Sequence, residues 1–313
     1  MVIFLALMAA LANAVASICQ RLGVEDAPPR RGPSLSLIRH MIRRRVWLLG
    51  FVIMAAGYAA QSVALHLGSL NEVQPLMVSE LVLLVFLLWI WFATTLSVRD
   101  ATSAVATAAG LGAFLAFASP TTGPAMPSGD RWFAVGSIVV GVVAAFVILG
   151  IRGPAWWRAI SLGAGASTGF ALLAAITKSM TNLLVKGWGP LFSSWQLYAL
   201  CAIGLASFVI MQSAFQVGPF AASQSALILL NPLVSLALGR LLFDEHLRGG
   251  TFAVTAQVVS LALMLLGAVG LSTSSLVTGL HDDATDAHLL HGRGRYARWR
   301  ESREHALPRT ATR

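Results

Sequence analysis

The residue best placed to do chemistry is a carboxyl group inside an apolar run. Glu80 stands between Ser79 and Leu81 in the stretch Val73 to Thr95, whose other residues are mostly hydrophobic. An ionisable side chain at membrane depth is costly and faces a cavity or a partner rather than lipid. Glu80 is therefore read either as a proton acceptor or contact for a substrate ammonium, or as a carboxyl that ties helices together. Lys178 is the complementary case. It lies near the end of its own run, so its ammonium is expected to snorkel to the membrane surface. At about 1.5 Å of rise per residue, both lie at comparable depth, and the ammonium is expected to act on the Glu80 carboxyl.

Gln74 and Gln224 each stand near the start of a span, 150 positions apart. Such a pair of amides lines a pathway or joins helices by hydrogen bonds. Asn231 and Pro232 interrupt a further run, and Pro75 follows Gln74. Proline has no N–H and frees a backbone carbonyl, which at membrane depth must be satisfied by protein or by cavity water. Both prolines are read as kinks, the second of them near a cavity. Gly165 and Gly169 form a GxxxG pair, which is explained by close helix packing alone.

The remaining motifs point away from catalysis. HExxH and a P-loop are absent, so no catalytic residue and no cofactor are expected. No metal site is expected either. Magnesium takes carboxylates and retained waters, and the spans offer Glu80 with Glu72 at the mouth. The spacing of His281, His288, His291 and His305 is too irregular for a metal tract. Cys19 and Cys201 lie in apolar segments without a disulfide framework.

These residues must be positioned by membrane helices. Of 313 residues, 57% are hydrophobic and 11% charged, with a mean hydropathy of +0.74, against about 25% charged in soluble domains. Runs of about 20 apolar residues span a bilayer. Nine are found: Val2 to Cys19, Trp47 to Leu67, Val73 to Thr95, Ala101 to Ser119, Trp132 to Gly150, Ile160 to Leu183, Phe192 to Phe215, Phe220 to Phe243 and Thr251 to Ser272. The first is read as a retained helix rather than a cleaved signal, because no basic segment precedes it.

The net charge of +9 and pI of 10.9 fit the cytoplasmic bias of Lys and Arg better than nucleic-acid binding. With the N-terminus outside, seventeen of the 22 Lys and Arg fall on the inner side and three on the outer. That bias predicts a cytoplasmic-membrane protein with its C-terminus inside. The inner side then holds a basic loop, 23–45, and a polar tail, 273–313. Tyr296 and Trp299 sit among arginines in that tail, a mixture suited either to anionic lipid or to plain solvation. Trp132, Trp156, Trp157, Trp188 and Trp195 fall near helix ends and read as interfacial belts.

The two halves share a rhythm of span, glycine turn, span, polar turn, span. LHLGSLNE and TLSVRD punctuate the first half, FQVGPF and DEHLRGG the second, and Gly68 falls on Gly218 at the shift that superposes Gln74 on Gln224. A first repeat at 1–119, a linker helix at 132–150 and a second, inverted repeat at 160–272 give a 4+1+4 all-α membrane bundle. Inverted repeats typify secondary transporters, with the substrate site at the repeat interface.

The VQPL run at 73–76, the block KGWGPLFSSWQLYAL at 186–200 and QSAFQVGPFAASQSALILLNPLVSLALGRLLFDEHLR at 212–248 resemble the drug/metabolite transporter superfamily, the EamA-type carriers. The resemblance covers roughly 1–272. That family is usually drawn with ten helices and both ends cytoplasmic; nine helices with opposite ends are similar to its magnesium-transporter-like branch. What the resemblance implies is a secondary carrier of a small organic metabolite or drug-like molecule, an ion- or proton-coupled exporter. A divalent-cation carrier and an accessory subunit without activity of its own are the alternatives. The partners expected are a small-molecule substrate and the lipid bilayer. Oligomeric state is left open, a homodimer included.

Overall fold

The computed structural model describes residues 1–24, 44–92, 96–121, 123, 126–185, 187–218 and 220–274. Among the described residues the chain is helical, with no strand. In chain order the helices are α1 (Val2–Val24), α2 (Arg45–Leu67), α3 (Leu70–Met77), α4 (Ser79–Phe92), α5 (Val98–Ala118), α6 (Gly129–Ile151), α7 (Ala155–Leu184), α8 (Trp188–Phe192), α9 (Trp195–Val217), α10 (Phe220–Phe243) and α11 (Thr251–Ser272). With α3 and α4 taken as one run, nine of these are long and apolar enough to cross a membrane. This is a multi-pass helical bundle.

Serine caps open several helices where the chain leaves the apolar layer. Ser69 accepts the N–H of Glu72, Ser128 accepts that of Arg131, and Ser97 forms a capping box with Asp100, each satisfying backbone donors that begin a helix. The outward faces carry large apolar side chains: Phe133 is 80% exposed, Leu205 67% and Leu266 70%. A water-soluble surface does not sustain such a continuous apolar cover.

Helix α7 is the axis of the bundle. Within its span 83% of residues are buried, against 11% in α6 and α9, and it packs on α6, α9, α10 and α2. Its sequence explains this. Gly163, Ala164, Gly165, Ala166, Ser167 and Gly169 are small enough for neighbouring helices to approach closely. At Gly169 a methyl group would collide with the Ser207 hydroxyl of α9, and at Gly165 it would lie 3.3 Å from Phe146 of α6. The GxxxG pair packs helices, as expected.

Two other pairings frame the molecule. Helix α1 lies on α2 and on the α3–α4 run, and α5 lies along α11. The α5–α11 approach is backbone to backbone: a methyl at Gly110 would strike the Met264 N–H, and one at Gly267 would come within 2.6 Å of the Thr107 nitrogen.

The expected spans stand, and the last two have the expected bounds. Several boundaries are corrected, among them the start of the sixth span, at Ala155 rather than Ile160. The third span starts earlier, at Leu70, and is broken at Val78. The seventh starts at Trp195, because Gly187 at φ +119 and the short helix α8 interrupt the chain before it. Helix α1 remains helical to Val24, past Gly23, where the basic loop was expected to begin. Most of that loop, including the Pro28–Pro29 break, lies outside the described residues, as does the tail from 275 with its four histidines, Tyr296 and Trp299.

Candidate functional site

A cavity of about 300 Å³ lies between the α3–α4 run and α10, at the low end for small-molecule sites. Glu80, Gln74, Gln224 and Asn231 all line it, as does Pro232. Four of the five residues expected along a pathway are thus brought together, from spans that are far apart in sequence. Pro75 is buried one residue from Gln74.

The proline positions the site through the backbone. Without an N–H at Pro75, the carbonyl one turn earlier loses its helical donor. Just beyond it the helix tightens: Val78 N–H bonds the Pro75 carbonyl at 3.1 Å and Leu81 N–H bonds the Val78 carbonyl at 3.2 Å. The break falls at Val78, two residues before Glu80, and Val78 itself faces the cavity. Pro232 lies within α10 without ending it.

Three polar residues of the lining escape sequence reasoning. Asn13 of α1 hydrogen-bonds the Glu80 side chain, Gln61 of α2 faces the same space, and Ser167 of α7 donates to the Leu227 carbonyl at 2.9 Å. Asn13 and Ser167 lie in long hydrophobic runs that read as lipid-facing or packing helices. The amides of Gln74 and Asn231 meet across the two halves, Asn231 Nδ2 donating to Gln74 Oε1 over a long 3.4 Å. The second polar atom of each, Gln74 Nε2 and Asn231 Oδ1, is buried with no protein partner.

Lys178 is not part of this cavity, and it does not snorkel. Its side chain is 4% exposed and its ammonium donates to Glu245 Oε1, the Glu245 side chain being fully buried. The expected influence of Lys178 on Glu80 is therefore corrected: the ammonium is engaged by Glu245. A buried ammonium needs a counter-ion more than it needs the interface.

Glu245 is the buried charge most clearly missed, because DEHLRGG reads as a polar turn. The chain folds back after α10, with Glu245 N–H on the Gly239 carbonyl at 3.0 Å. Its carboxylate then accepts Leu70 N–H at 2.7 Å and Asn71 N–H at 2.9 Å. It thereby closes the N-terminus of α3, where unpaired N–H groups and the helix dipole favour an anion. Gly239 leaves the room: a methyl there would come within 2.6 Å of Glu245 Oε2.

An aromatic cover lies over the ion pair. The Phe243 ring is 4.8 Å from Lys178 Nζ, a cation–π distance. Trp132 packs edge-on to Phe243 at 6.3 Å and to Trp195 at 5.3 Å. Trp132 is buried, so it leaves the expected interfacial belt, whereas Trp156, Trp157, Trp188 and Trp195 are exposed. Beside this buried pair Asp244 is exposed and bonds Arg131 at 2.6 Å and Arg240 at 3.1 Å.

The chain matches no family model and no solved structure. Over 231 residues it is 26% identical to an uncharacterized protein of Corynebacterium glutamicum, a similarity that covers 74% of this chain and 80% of that one.

Proposed function

We propose that the chain is a secondary carrier of a small organic molecule, working by alternating access in the cytoplasmic membrane. The observation that carries this reading is the cavity itself: a chamber of mixed apolar and polar lining between a broken helix and α10, lined from both halves of the chain. Just toward the Asp244 end from Gln74, the buried Lys178–Glu245 pair ties α7 and the segment after α10 to the N-terminus of α3. A carrier needs such a closure on one side of its site.

The 4+1+4 inverted repeat belongs to the same proposal. Helix adjacency supports it: α1 packs on α2 as α7 packs on α9, α1 packs on the α3–α4 run as α7 packs on α10, and α5 pairs with α11. Gly68 ends α2 against Val2 at the start of α1, and Gly218 ends α9 against Ala155 at the start of α7. The resemblance to EamA-type carriers and the charge bias, with the N-terminus outside, complete the reading. A cysteine at Ser128, in a chain lacking Cys19 and Cys201, is then expected to react with an impermeant thiol reagent in intact cells; protection there reverses the orientation.

Glu80 is proposed as the group that couples transport to protons. In proteoliposomes screened with a panel of labelled metabolites, accumulation is expected to depend on a pH gradient, and Glu80→Gln is expected to abolish that dependence. Gradient-driven accumulation unchanged in Glu80→Gln removes Glu80 from the coupling. Divalent-ion transport gains no support from a lining with a single carboxyl group, Glu80, among the described residues.

A further inference from the structure

The chemistry of the cavity wall goes further than its shape. Among the described lining residues there is one acidic side chain, Glu80, and no Lys, Arg or His. The nearby cation, Lys178, is taken by Glu245. An anion entering this space meets a carboxyl and no counter-charge, whereas an ammonium meets Glu80, with Phe170 in the same wall. Desolvation makes this discrimination strong, because a buried charge without a partner is expensive.

The second feature is the Gln74–Asn231 pair. Gln74 is 2% exposed, and each amide spends one polar atom on the other, leaving Gln74 Nε2 as a donor and Asn231 Oδ1 as an acceptor. Turning both amides over again leaves one donor and one acceptor, so the pattern does not depend on their orientation. Unpaired buried polar atoms cost about 1–3 kcal/mol each, and a ligand that satisfies both recovers that cost. An adjacent acceptor and donor is what a carboxamide or peptide unit presents. Met77 and Met211 supply adaptable apolar wall for the rest of such a molecule.

We infer that the cavity takes a small organic monocation that also carries an amide, with Glu80 as the counter-ion and Gln74 and Asn231 as the readers of the amide. The inference rests on the cavity being the cargo site. It is tested by binding alone, so that it can fail while the carrier reading survives, and the reverse.

Four near-isosteric probes separate the terms: N-benzyl-β-alaninamide (ammonium and amide), N-benzylbutyramide (amide alone), 5-phenylpentylamine (ammonium alone) and N-benzylsuccinamate (carboxylate and amide). Calorimetric titration of the full chain in lipid nanodiscs is expected to rank the first above the second and third by about tenfold each, equivalent to about 1.4 kcal/mol, with no binding of the fourth. Glu80→Gln is expected to bring N-benzyl-β-alaninamide and N-benzylbutyramide to similar affinity. Gln74→Leu is expected to erase the difference between N-benzyl-β-alaninamide and 5-phenylpentylamine while keeping the preference for charge. The unmodified chain carries the test if a variant fails to fold. Binding of N-benzylsuccinamate as tight as that of N-benzyl-β-alaninamide, or failure of all four to bind, overturns the inference. Transport of an anionic metabolite by proteoliposomes would leave the carrier standing and remove this cargo class.

Discussion

At the scale of single residues, the buried ion pair of Lys178 and Glu245 is sensitive to the loss of either partner. Each is buried, and removing one partner of a buried pair costs about 3–5 kcal/mol, because the other charge is left uncompensated. Lys178→Met is therefore expected to destabilise the folded chain by that amount. Adding Glu245→Gln is expected to restore part of it, since it removes the uncompensated charge and the one amide oxygen still accepts from either Leu70 or Asn71, the other bond being lost. A double-mutant cycle on thermal unfolding in detergent reads the coupling; additive losses would show that the two charges do not depend on each other. Asp244 offers the contrast. The hydrogen bond from Arg131, with its positive charge, holds the Asp244 carboxyl below the usual aspartate range. A depressed carboxyl contributes above the ordinary aspartate range and loses that contribution only as pH falls through its lowered value. Exposed and screened by salt, Asp244→Asn is expected to leave stability at neutral pH nearly unchanged.

At the scale of helices, packing is decided by where small residues fall. Gly110 faces the α11 backbone, while Gly112, two residues on, has nothing within 4 Å. Gly110→Leu is expected to cost at least about 1–3 kcal/mol through overpacking, and Gly112→Leu to be tolerated; the yield of monodisperse protein after heating measures both. Equal losses would mean that α5 and α11 do not meet there. The element scale also marks what could be read in advance. Hydrophobic run length located all nine spans, and the 150-residue spacing and the prolines drew attention to Gln74, Gln224 and Asn231. Glu245 was hidden because its partners, Lys178 and the α3 N-terminus, are 67 residues or more away in sequence. Its hydrophilic neighbours Asp244, His246 and Arg248 disguise a buried anion as a loop. Asn13 and Ser167 were hidden because only packing shows which face of an apolar helix meets a cavity.

At the scale of the molecule, α7 stands at the centre, the lipid-facing helices α6 and α9 beside it, and the cavity lies between the α3–α4 run and α10. The Lys178–Glu245 cluster lies toward the Asp244 end, where α3 begins. Opening that end requires the α3 N-terminus to part from Glu245. The proposed alternate opening of the cavity to the two sides is read out at Ile228, a cavity-lining residue in the middle of α10. With Ile228→Cys as the one cysteine, in a chain carrying Cys19→Ala and Cys201→Ala, an impermeant thiol reagent is applied to vesicles of each orientation. Reaction is expected in both preparations, with the rate from the Asp244 side rising when Glu245→Gln weakens the closure. Reaction from one side alone, unchanged by Glu245→Gln, would contradict alternate opening and make the cavity a blind pocket.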